Sequence, residues 1–78
     1  MEKRYFIIES VSEDGTWYLV NGWSKSYHFF TRRVLPENYF KTRAGALKSW
    51  ESIVRMEPYY GLNEITVKEV DILGNEVF

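Results

Sequence analysis

The chain has 78 residues, so we expect residues 1–78 to form a single domain with no room for a second. Its formal charge is −1, from ten Lys and Arg against eleven Asp and Glu, whereas nucleic-acid-binding domains usually carry a net basic footprint. It has no cysteine, which excludes a disulfide framework and a thiolate zinc site and is consistent with a cytoplasmic protein. The longest apolar run, Tyr5–Ile8, is far too short to cross a bilayer, so we expect neither a membrane span nor a signal peptide.

The first part of the chain has the pattern of three strands. Residues 3–11 form the first, and their apolar run on both faces indicates an interior strand. Asp14-Gly15 follows as a hairpin signal, which predicts a type I′ turn with positive φ at both central residues. Residues 16–20 form the second strand and residues 27–34 the third.

One helix follows a connector that contains Pro36. Thr42 is the expected N-cap, and Pro58 should end the helix near Met56 or Glu57. The residues that recur at the spacing of one apolar helix face are Ala46, Leu47, Trp50, Ile53 and Val54.

A fourth strand is predicted over residues 64–72. Its apolar phase changes after Val67, because Val70 falls on the opposite face, which predicts a bulge or a sharp twist. Residues 73–76 then carry a second turn signal, leaving Val77 and Phe78 as a short return strand at most.

The element order is therefore β-β-β-α-β, an α+β fold with one helix packed on one face of a mostly antiparallel sheet. If the fourth strand pairs with the first, the strand order is 4-1-2-3 and the two-sided apolar first strand becomes internal. The alternative places the fourth strand beside the third and leaves the first at an edge. We favour the first arrangement.

One helix covers only one face of such a sheet, yet large rings alternate along the strands. Only one of Trp17 and Tyr18 can face the helix, so the second face should carry bulky apolar groups. That face would serve as a protein-docking surface or a homodimer interface, unless loops and long side chains cover it. The candidate partner-binding residues are Trp17, Tyr18, Trp23, Tyr27, Phe29, Tyr59 and Tyr60.

No residue set in the sequence has the arrangement of a catalytic or metal site. His28 is the only histidine, and no carboxylate lies near it at ligand or general-base spacing. The glycines are scattered singly, so no phosphate-cradling loop is present. We therefore expect no enzymatic activity, no cofactor and no metal.

Basic residues bracket the connector before the helix. With Lys25 and Tyr27 they could form a basic, aromatic-laced edge of the kind that meets phosphates and bases. The simpler interpretation is a solvated rim of charges. The candidate nucleic-acid-binding residues are Lys25, His28, Arg32, Arg33, Lys41 and Arg43.

Two stretches carry a family resemblance. Residues 14–18, Asp-Gly-Thr-Trp-Tyr, and residues 40–46, Phe-Lys-Thr-Arg-Ala-Gly-Ala, make residues 14–54 resemble the arm-type DNA-binding domain of phage and transposon integrases. The resemblance implies a three-stranded sheet that enters the major groove, and it implicates Lys25, Tyr27, His28, Arg32 and Trp23. With its closing Ile-Thr-Val-Lys-Glu-Val strand, the chain is also similar to small phage and prophage accessory proteins.

These observations favour a non-enzymatic, cytoplasmic protein-binding module, a phage or mobile-element accessory or inhibitor protein that acts through an aromatic sheet face. Its expected partner is another protein or a second copy of itself, with no membrane. The alternative is a DNA-binding module, which the net charge disfavours.

Overall fold

The computed structural model describes residues 3–21, 29–60 and 64–77, with side chains described only as far as residue 55 in the second range. These residues form a four-stranded sheet and one long helix. The elements in chain order are β1 (Tyr5–Ser12), β2 (Gly15–Leu19), β3 (Phe30–Thr31), a 3₁₀ turn (Pro36–Asn38), α1 (Arg43–Tyr60) and β4 (Glu64–Val70).

The sheet has the order β3-β2-β1-β4, and every neighbouring pair is antiparallel. The predicted order 4-1-2-3 is confirmed, and the alternative pairing of the fourth strand with the third is wrong. β1 lies inside the sheet, as its two-sided apolar sequence predicts. Ile7 and Ile8 point to opposite faces and are only 3% and 1% exposed.

The hairpin between β1 and β2 is confirmed, but the predicted type I′ turn is wrong. Gly15 pairs with Ser12, so Glu13 and Asp14 occupy the turn. Gly15 has φ of +126°, and no residue other than glycine has positive φ in the described part of the chain. Gly15 therefore supplies the left-handed geometry where the turn ends, and Asp14 has no need of it.

Helix α1 begins as the sequence predicts, with Thr42 as its N-cap. The amide of Gly45 donates to Thr42 Oγ1 over 3.0 Å, and the amide of Ala46 donates to the Thr42 carbonyl over 3.1 Å. A Cβ on Gly45 would lie 3.1 Å from the same Oγ1, so this glycine leaves room for the capping hydroxyl.

The predicted end of the helix is wrong, because α1 continues past Pro58 to Tyr60. Proline lacks an N–H and so removes one backbone hydrogen bond from the last turn. The residues that follow it keep helical geometry, so that single loss does not end the helix.

The core lies between α1 and the pair β1 and β4. Ala46 and Ile53 are fully buried, and Trp50 Nε1 donates to the Ile65 carbonyl over 2.8 Å. Leu47 departs from the prediction: it lies at the margin of the apolar stripe and is 41% exposed. The buried cluster consists of Ile8, Leu19, Phe40, Ala46 and Ile53.

Strand β4 ends at Val70, two residues earlier than predicted, and its ladder with β1 is unbroken from Glu64 to Val70. Of the two predicted alternatives, the bulge is therefore wrong, and the sharp twist stays a prediction. Val70 points to the opposite face from Val67 because that face is also buried there, and Val70 is 1% exposed. The chain returns in a short antiparallel bridge between Val70 and Glu76, one residue before the predicted return at Val77.

Strand β3 contains only Phe30 and Thr31 among the residues that the structure describes, whereas the sequence predicts residues 27–34. The register places these two residues on opposite faces of the sheet. Phe30 pairs with Leu19 on the helix side, and Thr31 pairs with Tyr18 on the other side.

The connector between β3 and α1 is held to the sheet by Asn38, which is fully buried. Its Nδ2 donates to the Leu19 carbonyl over 2.9 Å, and its Oδ1 accepts the amide of Leu35 over 2.6 Å. Two residues later Phe40 forms a reciprocal pair of backbone hydrogen bonds with Phe6, at 2.9 and 2.8 Å. The connector thus continues the sheet beside β1 where β2 has ended.

Replacing Asn38 by Ala should lower the free energy of unfolding by about 3 kcal/mol, because it leaves buried carbonyls and an amide without partners. Urea denaturation followed by tryptophan fluorescence measures the loss. The control is Lys48→Ala on the exposed side of α1, which should change stability by less than about 0.5 kcal/mol. Equal effects of the two substitutions would contradict the role given to Asn38.

Candidate interaction surface

We call the face of the sheet opposite α1 the outer face, and its two ends differ. At the end formed by β1 and β4, Ile7 and Val70 are buried. Tyr39 of the connector stacks on Tyr5, with ring centroids 4.9 Å apart, and its hydroxyl donates to the Ile72 carbonyl over 3.0 Å. This end of the outer face is therefore closed by the chain itself, as the covering alternative in the sequence predicts.

The middle of the outer face is polar. Lys68 Nζ lies 3.0 Å from a Glu9 carboxylate oxygen and 3.3 Å from one of Glu76. The hydrogen bond to Glu9 is the main cause that raises the pKa of Lys68. Burial, followed by the negative charge of Glu9, raises the pKa of Tyr18. This row of charges separates the closed end from the β2–β3 end.

At the β2–β3 end the outer face carries apolar side chains that we call the outer patch: Tyr18, Val20 and Phe29. The Val20 amide donates to the Phe29 carbonyl over 2.9 Å, which places Val20 and Phe29 side by side just beyond β2 and β3. Tyr18 and Val20 are half-buried, whereas Phe29 is 51% exposed. An exposed ring beside two further apolar side chains is typical of interaction surfaces.

Trp17, the other candidate ring on β2, lies on the helix side at the hairpin tip. Its Nε1 donates to Ser12 Oγ over 3.2 Å and to Asp14 Oδ1 over 3.3 Å. Arg32 covers the ring, with its Cζ 3.6 Å from the centroid, and its Nη1 donates to the Asp14 carbonyl over 2.8 Å. These contacts give Trp17 a structural role within the hairpin.

The side chains of the other predicted partner-binding residues lie outside the described part of the structure. Tyr59 and Tyr60 lie in the last turn of α1, where the structure describes the backbone only. Trp23 and Tyr27 lie outside the described residues, as do Lys25 and His28 of the nucleic-acid set.

Two of the remaining basic candidates, Arg32 and Arg43, lie at opposite ends of β1. Arg32 Nη2 lies 3.3 Å from Asp14 at the hairpin end of β1, whereas Arg43 Nη2 lies 3.6 Å from Glu69 at its opposite end. Lys41 is exposed, and so is Arg33. Two of the four described basic candidates are thus paired with carboxylates, one at each end of the sheet.

The structure also brings out a surface that the sequence reasoning missed. Ile72 was assigned to the fourth strand, but it lies in the turn after β4 and is 59% exposed, beside Leu73 at 81%. The signal that could have found it is Asp71 followed three residues later by Gly74, since Asp at the first position and Gly at the fourth favour a β-turn.

No group of three His, Cys, Asp or Glu side chains in the described ranges could hold a metal ion. Nor is any helix among these residues long and apolar enough to cross a membrane. Comparison with protein-family models, with curated proteins and with solved structures found no match.

The contacts at the hairpin tip lower the pKa of Asp14, and this effect can be tested. The Ser12 hydroxyl first, then the Trp17 indole and the Arg32 charge, hold the pKa of Asp14 below its ordinary 3.8. A carboxyl group whose pKa is lowered by folding stabilises the fold at any pH above its unfolded-state pKa. That stability is lost as the pH falls through its folded-state pKa. In an NMR carboxyl titration, Ser12→Ala should raise the pKa of Asp14 more than Arg32→Gln does. The control is Asp71, whose titration should not move, and a larger effect of the Arg32 variant would contradict this order.

Proposed function

We propose that this chain is a small non-enzymatic protein-binding module that acts through the outer patch of Tyr18, Val20 and Phe29. The observation that carries the proposal is the half-exposed ring of Phe29 on the face that α1 leaves open. Aromatic side chains are enriched among the residues that contribute most to protein interfaces. The neighbouring charges of Glu9 and Lys68 would form a polar rim beside the patch.

The supporting contrast is between the two ends of the outer face. Where β1 and β4 meet, Tyr39 closes the face within the chain, and Ile7 and Val70 are only 3% and 1% exposed. At the β2–β3 end, the Phe29 side chain is 51% exposed. We propose that a partner protein covers the outer patch, as Tyr39 of the connector covers the other end of the outer face. The chain would then be a mobile-element accessory or inhibitor protein.

The DNA-binding alternative has less support. A three-stranded sheet that enters the major groove would bring the outer face against phosphates, and Glu9 lies on that face beside Tyr18. Arg32 and Arg43 are occupied by Asp14 and Glu69. What favours the alternative is the exposure of Arg33 and Lys41.

Site-specific photo-crosslinking tests the outer patch. A benzophenone side chain in place of Phe29 should give discrete protein adducts in an extract of the source cells, because its ring would lie at the partner's surface. Adding Tyr18→Ser should remove most of these adducts. The control is the same group in place of Leu47, a helix residue that is 41% exposed, and this variant should give none of the adducts.

Two results would contradict the proposal. The first is the same adduct pattern from both positions, or no adduct from position 29. The second is tight binding of a DNA duplex whose affinity falls about 1,000-fold or more between about 50 and 200 mM salt, which would favour the DNA alternative.

A further inference from the structure

The turn after β4 is held in one conformation by its own hydrogen bonds. Asp71 Oδ1 accepts the amides of Leu73 at 2.9 Å and Asn75 at 3.0 Å. The amide of Gly74 donates to the Asp71 carbonyl over 3.0 Å, and Gly74 has φ of +86°, which a residue with a Cβ rarely adopts. The hydrogen bonds from the Asn75 and Leu73 amides also hold the pKa of the Asp71 carboxyl group below 3.8, so this group is charged at neutral pH.

The turn is also fixed against the rest of the molecule. Tyr39 donates from its hydroxyl to the Ile72 carbonyl over 3.0 Å. A Cβ on Gly74 would lie 3.2 Å from a Val34 methyl and 3.3 Å from the Tyr39 hydroxyl, so the turn packs closely on the connector. A turn fixed in this way loses little conformational entropy when it binds.

This ordered turn presents two aliphatic side chains to solvent. Leu73 is 81% exposed and Ile72 59%, the two most exposed large apolar side chains among the described residues. Turn tips are usually built from polar residues and glycine. An exposed apolar pair on a fixed turn is therefore a candidate contact for a complementary cavity on another molecule.

A shallow hollow lies beside these two side chains. Lys3, Asp71, Ile72 and Leu73 line a shallow cavity of about 290 Å³. Its volume lies at the lower limit of sites for small molecules, which generally enclose about 300–1,000 Å³ and bury most of the ligand. Its lining includes two oppositely charged residues, Lys3 and Asp71.

We propose that this surface, which we call the turn surface and define by Lys3, Asp71, Ile72 and Leu73, binds a second copy of the chain. A two-fold contact places each residue of a patch against the same patch of its partner, so it requires a self-complementary surface. Here Leu73 of each copy enters the hollow of the other, and Lys3 of each meets Asp71 of the other. An anchor, a hollow and both signs of charge on one patch meet that requirement.

The same charges argue against a bilayer as the occupant. An aliphatic tip that inserts into an anionic membrane is usually surrounded by basic residues. Here Asp71 and Glu76 flank the turn, and Lys3 is the one basic residue that lines the hollow among those described.

The expected dimer is weak and reversible. Four residues a side is far below the roughly 20–30 residues a side of a stable interface. The dimer also uses a different surface from the outer patch, so the two proposals can fail separately.

Sedimentation equilibrium of the purified chain, from micromolar to millimolar concentration, tests the proposal. The wild type should show a monomer–dimer equilibrium, and amide NMR shifts that change on dilution should cluster at residues 71–75. Leu73→Ser should weaken the dimer about tenfold or more, since a buried leucine side chain is lost. Lys3→Glu should weaken it as well, because each copy then presents two acidic groups to the other.

The matched control is Leu47→Ser, the same substitution at another exposed leucine, which should leave the equilibrium unchanged. Phe29→Ser should also leave it unchanged. A strict monomer at all concentrations, or a dimer that survives Leu73→Ser, overturns the proposal. A dimer abolished by Phe29→Ser overturns it too and assigns self-association to the outer patch. Binding to anionic lipid vesicles that needs Leu73, with no dimer in solution, assigns the turn to a membrane instead.

Discussion

The buried amide of Asn38 is the contact on which the layout of this domain depends. It binds the carbonyls of Tyr18 and Leu19 where β2 ends, and it accepts the amide of Leu35 and the hydroxyl of Thr31. One side chain thus joins three parts of the chain: β2, β3 and the connector. Because the connector is fixed there, Phe40 can pair with Phe6, and α1 begins over β1 and β4.

That placement divides the outer face. Tyr39 follows Asn38 directly, stacks on Tyr5 and reaches the turn after β4, so the connector closes the β1–β4 end. At the β2–β3 end, by contrast, the Phe29 side chain is 51% exposed. The docking proposal follows from this asymmetry rather than from the total number of aromatic residues.

Most of the fold could be predicted because its signals are local. Alternating side chains defined the faces of β2 and β3, the Asp14-Gly15 pair located the hairpin, and Thr42 marked the start of the helix. The two-sided apolar sequence of β1 then decided the strand order, since only an internal strand is buried on both faces.

The errors arose where distant contacts decide the outcome. The connector has no regular periodicity, so nothing local showed that Asn38 would bind residues 19 and 20 positions earlier in the chain. The sequence predicts a bulge or a sharp twist near Val70 because nothing local indicates that the outer face is closed at that end. The basic candidates look clustered in sequence, but Arg32 and Arg43 lie at opposite ends of β1.

The central claim is that the outer face is closed at one end and open at the other. Paramagnetic relaxation by a soluble gadolinium chelate, measured on assigned side-chain protons in the dilute monomer, tests it directly. The account predicts strong relaxation of the Phe29 ring protons and weak relaxation of the Ile7 and Val70 methyl groups, although all three lie on the same face. Equal relaxation at the three residues, or a protected Phe29, would contradict it.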